Sequence, residues 1–148
     1  MESDIEMLFP EQYVPTDSER MLLYRELDNL KSDDELERYR QRLTDRFGQP
    51  PQVADELMQV VPLRRLGRAL GAERLLLKMG RMTLFFVSNP NSPYYQSQAF
   101  DYILNFIATN PRRCNLREAN GKRSLVINDV RTVADAVTLL RSLPTIGN

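Results

Sequence analysis

Glu73–Val87, ERLLLKMGRMTLFFV, is the stretch that decides how this chain folds. On its N-terminal side apolar residues recur every three or four positions, the spacing of helices. From Ala72 the texture changes. Two short runs dense in Leu, Met and Phe flank Met79–Gly80, and they read as two strands joined by a tight turn. Further on, SNPNSPYYQS (88–97) reads as a loop from which Ser92 and Pro93 start a helix over about 93–109. Its core side would carry Ala99 or Phe100, then Ile103, Phe106 and Ile107. RRCNLREANGKRSLVIN (112–128) reads as a second hairpin, because Asn120–Gly121 can supply two residues with positive φ. Asp129 is the expected cap of a last helix over about 130–143, stopped by Pro144, with Val133, Val137 and Leu140 as its stripe.

Toward the N-terminus, Asp4–Phe9 reads as a short strand. PEQYVP (10–15) reads as an extended link anchored by Tyr13 and Val14. A first helix is expected over about 19–30, capped by Asp17 or Ser18, with Leu22 or Leu23, Leu27 and Leu30 inward. SDDE (32–35) is a capping box, Ser at the N-cap and Glu at N3. The helix it opens carries Leu36, Tyr39, Leu43 and Phe47 on one stripe and stops at Gly48. A third helix over about 52–70 buries Val53, Leu57, Val60, Leu63 or Leu66, and Leu70. Pro62 should kink or split it near Val61. The expectation is one α+β domain. Residues 1–71 form a short strand plus a helical arm, packed beside an antiparallel sheet of two β-hairpins covered by two helices, residues 72–148.

The available chemistry is narrow. In 148 residues there is no His, no Trp and one Cys, Cys114. Without His the commonest general base and metal ligand is missing, and Ser–His or Cys–His nucleophile pairs cannot form. Zinc clusters and a phosphate-cradling P-loop have no candidate residues. The expectation is a chain that is not an enzyme and holds no cofactor, metal or small-molecule substrate. No apolar run reaches the roughly 18–20 residues that span a bilayer, and MESDIEMLFPEQ lacks the form of a signal peptide, so the expected location is cytoplasmic.

Net charge is zero but unevenly spread: residues 1–50 hold 13 acids and 7 bases, residues 51–148 hold 7 and 13. Two groups of charge stand out. The first is on the SDDE helix. At 100° per residue, Asp45 falls opposite the apolar stripe, among Arg38, Gln41 and Arg42, with Arg46 beside it. A carboxylate near a helix C-terminus is unfavourable by roughly 0.3–1 kcal/mol, although an Arg42–Asp45 pair could offset this. Asp45 is either part of a solvated face or there to meet a partner. The second group is basic: Arg64, Arg65 and Arg68 on the third helix, and Arg112, Arg113, Lys122 and Arg123 at the ends of the second hairpin. These residues could hold phosphates, although no aromatic residues interleave with them.

The ordered set Tyr13-Val-Pro, Leu23-Tyr-Arg-Glu-Leu, SDDELERYRQRLTDRFGQPP and LRRLGRALGAERL resembles the C-terminal domain of bacterial transcription-repair coupling factors, large DNA translocases of the helicase superfamily. The resemblance covers about residues 4–77. Its most specific part is Leu43, Asp45, Arg46, Phe47, Gly48 and Pro51. It implies a domain excised after the translocase motor, which binds the parent's ATP. In the family this domain has no catalytic site. It docks on the parent's N-terminal UvrB-homology module, covers the surface that recruits UvrA, and restrains ATPase and translocation until RNA polymerase is engaged. It implies autoinhibition in transcription-coupled DNA repair, with contact to UvrA, RNA polymerase and DNA only through the parent. Asp45 matches an acid of the family's docking face. A second acid expected one turn earlier is Arg42 here, so the patch would extend along Arg38, Gln41 and Arg46. The alternative is a nucleic-acid- or polymerase-binding module acting through the basic C-terminal half.

Overall fold

The computed structural model describes residues 2–3 and 9–145. It divides into two compact units, residues 6–65 and residues 1–5 with 66–148. The division falls inside a helix, earlier than the 71/72 step in sequence texture.

The first unit is helical: α1 (Asp17–Asn29), α2 (Asp33–Phe47), α3 (Gln52–Met58) and the start of α4 (Val60–Ala69). The capping box forms as read. Ser32 Oγ accepts from the Glu35 N–H at 3.1 Å. The Glu35 carboxylate reaches back to the Lys31 N–H, one residue beyond the usual partner. Gly48 ends α2 at φ +89°, a region open to glycine at little cost. The interior gathers Phe9, Val14, Leu27, Leu36, Tyr39, Leu43, Ala54, Leu57, Met58 and Val61. Several expectations shift here. The first cap is Thr16, with no side-chain cap bond, because the helix begins at Asp17. PEQYVP is a turn, not an extended link, since the Pro10 carbonyl accepts from both the Tyr13 and Val14 N–H groups at 3.0 Å. Val53 is 47% exposed and Ala54 takes the inner position. The third helix splits at Gln59, ahead of Pro62, which places the proline in the first turn of α4, where its missing N–H is harmless. Residues 4–8 of the expected first strand lie outside the described residues. Phe9 is buried outside any strand.

The second unit holds a five-stranded sheet in the order β1-β2-β3-β5-β4. Its body is antiparallel: hairpin β2 (Arg74–Lys78) with β3 (Arg81–Phe85), and hairpin β4 (Cys114–Ala119) with β5 (Lys122–Asn128), joined β3 to β5. The two-residue β1 (Glu2–Ser3) adds in parallel to β2. Both hairpin turns have positive φ at two consecutive positions, Met79–Gly80 and Asn120–Gly121, the signature of a type I′ turn. One sheet face, bearing Leu75, Met82, Leu84, Leu125 and Ile127, is fully buried. Two helices complete this interior: α5 (Gln98–Thr109) through Phe100, Ile103 and Phe106, and α6 (Val133–Ser142) through Val133, Ala136, Val137 and Leu140. Both start later than read. Pro93–Gln96 is a separate 3-10 turn, and Ser97 caps α5. Asp129 sits at φ +62°, and Thr132 caps α6 by accepting from the Asp135 N–H.

Candidate docking face on the second helix

Leu36, Tyr39 and Leu43 turn α2 inward, and its two flanks are held by different neighbours. On one flank Arg40 pairs with Asp55 of α3. On the other, Arg42 pairs with Glu26 and Arg46 with Glu19, both on α1. The Arg42 guanidinium also lies 5.9 Å from the Tyr39 ring centre. Arg42 thus points sideways to α1 and does not form the local pair with Asp45 that its spacing allowed.

The outer pole of the helix is left to Asp45, Arg38 and Gln41, all exposed. Among the described residues Asp45 makes no ion pair or side-chain hydrogen bond. It stands in the last turn of a helix whose end already carries partial negative charge. Next to it, between α1 and α2, runs a groove of about 350 Å³ floored by Leu23, Tyr39, Leu43 and Phe47 and bridged by the two Arg–Glu pairs. Leu22, 62% exposed, forms its lip, and the adjacent Met21 is 54% exposed. The doubt between Leu22 and Leu23 resolves with Leu23 inward. The signal for an apolar lip was MLLY itself, four apolar residues in a row, more than one helix face can bury.

The groove is stiffened from below. Tyr39 donates its phenol to the Leu23 carbonyl at 3.0 Å. Burial, with a smaller contribution from the Glu26 carboxylate, holds that phenol well above its ordinary pKa. Tyr13 donates to the Gly48 carbonyl at 2.8 Å and tilts against Phe47, so the Pro10–Pro15 turn is pinned to the end of α2.

Several of the basic residues have contacts within their own unit. Arg64 and Arg65 are tied to Asp28 (3.1 Å) and Asp33 (3.0 Å). Arg113 donates to the Asn128 and Asp129 carbonyls, holding the end of β5. Arg123 lies 4.4 Å over the Tyr95 ring, near Glu118. Arg68, Arg112 and Lys122 are exposed. Among the described residues no cluster of three metal-ligating side chains occurs, and no helix is long and apolar enough to cross a membrane.

The TRCF domain model matches residues 3–97. The transcription-repair-coupling factor of Escherichia coli (strain K12) is 32% identical over 68 residues, 46% of this chain and 6% of that protein. That of Rickettsia bellii (strain RML369-C) is 26% identical over 116 residues, 78% of this chain and 10% of that protein. The chain therefore spans a tenth or less of the curated relatives it matches. A solved structure, the C-terminal domain of transcription-repair coupling factor, superposes with a TM-score of 0.69 at 18% identity, covering 97% of this chain and 89% of that one. With the model matching well over half its length, the chain belongs to the TRCF domain family, and its fold is that of the C-terminal domain of transcription-repair coupling factor.

Proposed function

We propose that this chain is a non-catalytic regulatory domain of a transcription-repair coupling translocase. It works without a cofactor of its own and acts in the cytoplasm. It docks through the outer pole of α2 on the UvrB-homology module of its parent, masks the UvrA-recruiting surface, and restrains the ATP-driven motor until RNA polymerase is engaged. The observation that carries this reading is Asp45, exposed and, among the described residues, without an ion-pair partner at the negative end of a helix whose Arg40, Arg42 and Arg46 are each paired to a neighbouring helix. A basic group on the partner would satisfy it, fixing register more than affinity. Arg38 and Gln41 flank the contact, while the apolar groove offers a seat for a hydrophobic side chain. Arg42 and Arg46, committed to α1, would shape the groove rather than reach across. Such a latch must also release, which suits a polar rim around a small apolar centre.

The test is a titration of the isolated UvrB-homology module with this chain at low salt. Asp45→Arg should weaken binding at least tenfold, about 1.4 kcal/mol. Its folding stability should hold or rise slightly, because the unfavourable dipole interaction is removed. Unchanged binding by a stably folded Asp45→Arg chain would refute the assignment.

A further inference from the structure

The face of the sheet turned away from the helices is open, and it is strongly cationic. Side chains alternate along each strand, and the register fixes which residues share this face. One row runs Arg74, Phe85, Ser124, Arg117; the next Leu76, Thr83, Val126, Asn115; the third Lys78, Arg81, Asn128. Lys122 joins them beyond Ser124. Arg74, Lys78, Arg81, Arg117 and Lys122 are all exposed, while Leu76, Thr83, Phe85 and Val126 are half-buried. Among the described side chains no acid shares this face. Glu73 and Glu118 alternate to the helix side, where both act on Tyr95. Glu2, in register with Arg74 on β1, is an acid position at the margin.

The dimensions are those of a small platform. With about 4.8 Å between strands and 3.4 Å per residue, Arg74 stands about 14 Å from Arg117 across the sheet and about 14 Å from Lys78 along β2. The cations thus ring a flat, largely uncharged middle. Phe85 lies in it, with the Arg74 guanidinium 5.4 Å from its ring centre. Planar groups beside a cationic rim are the elements on which bases stack while phosphates are neutralised. An acidic helix, by contrast, would seek a groove rather than the face of a sheet.

We propose that the open face of the sheet binds single-stranded nucleic acid, with Phe85 as the base platform and Arg74, Lys78, Arg81, Arg117 and Lys122 holding phosphates. The site shares no residue with the α2 face and does not depend on that reading. It also differs from the hairpin-end arginines, of which Arg113 and Arg123 are turned to structural work.

The test is fluorescence anisotropy with the whole chain and labelled oligothymidylate or oligouridylate of about 12 nucleotides, within the span of one binding unit. Saturable binding at low salt is expected. Arg81→Glu with Arg117→Glu should weaken it at least tenfold and lower the slope of log K against log salt by about 1.4, two phosphates at about 0.7 each. Arg81→Gln with Arg117→Gln should shift it in the same direction by a smaller factor. Phe85→Leu, which keeps an apolar side chain, should weaken it about fivefold or more. Arg131→Glu with Arg141→Glu makes the same charge change away from the sheet face and should leave binding within about twofold. Three results would overturn the proposal: equal loss in the Arg131/Arg141 pair, duplex bound as tightly with no effect of Phe85→Leu, or polyglutamate displacing the label as well as unlabelled oligonucleotide. Absence of binding at low salt would do the same.

Discussion

Gly71→Ala probes a close approach of backbone to an aromatic ring in the second unit. Gly71 follows α4 at φ +89°, and a Cβ placed there would lie 2.0 Å from Tyr94 Cε1 and 2.5 Å from Cζ. Tyr94 has little freedom to withdraw. Its phenol donates to the Leu70 carbonyl at 2.5 Å, and its ring is set among Phe86, Tyr95 and Phe100 at centre distances of 5.8, 5.3 and 5.5 Å. Left-handed backbone costs an alanine about 1–2 kcal/mol. Losing the phenol bond adds about 0.5–1.5 kcal/mol, and loosening the ring contacts about 0.5–1.5 kcal/mol more. The expected loss is about 2–5 kcal/mol, read from urea unfolding followed by far-UV circular dichroism at constant m-value. Gly80 supplies the control: φ is +76° and no atom lies within 4 Å of an added Cβ, so Gly80→Ala should show backbone strain alone. A double-mutant cycle with Tyr94→Leu should recover about 1–2 kcal/mol of coupling. Equal losses at Gly71 and Gly80, with no coupling to Tyr94, would refute the argument from the ring.

Ser32→Ala should cost about 1 kcal/mol in urea unfolding, since it removes the acceptor for the Glu35 N–H, and Ser32→Asp should recover most of it. Alkaline pH should destabilise both units. Tyr39 and Tyr94 are held above their ordinary pKa chiefly by burial. The unfolded chain therefore loses these protons first, near pH 10. The stabilisation is complete below about pH 10 and falls as pH rises beyond it. Urea midpoints at pH values from about 9 upward should show the decline, and Tyr39→Phe should reduce it in the helical unit.

The parts legible in the sequence are those fixed by neighbours along the chain. SDDE wrote its own helix start, Leu36, Tyr39, Leu43 and Phe47 wrote the inward stripe, and Asn120–Gly121 wrote a turn. The pole of α2 bearing Asp45 follows from the same periodicity. Part of what sequence reading missed is set by partners far along the chain, and part by a choice among nearby caps. Arg42 could reach Asp45 locally, but Glu26, sixteen residues away in sequence, offers a charge across a helix contact. Ser97 and Thr132 became caps because each side chain accepts from the N–H three residues on. Earlier candidates, Ser92 and Asp129, were drawn into a 3-10 turn and a left-handed position. The cations of RLLLKMGRMTLFF alternate plainly in the sequence, yet which face they share with solvent is known only once the helices have chosen the other.

The outermost strand, β4, has β5 on one side and, among the described residues, no strand on the other. An unpaired strand border invites a neighbouring molecule to add its own backbone and begin a polymer. Here that border reads CNLREA, with Arg117 and Glu118 side by side and little apolar surface beyond Leu116. An incoming strand would have to bury one of those charges on each face. The domain thus carries its own guard against edge-to-edge growth, and a variant neutralised at both positions would be the one to form filaments on storage.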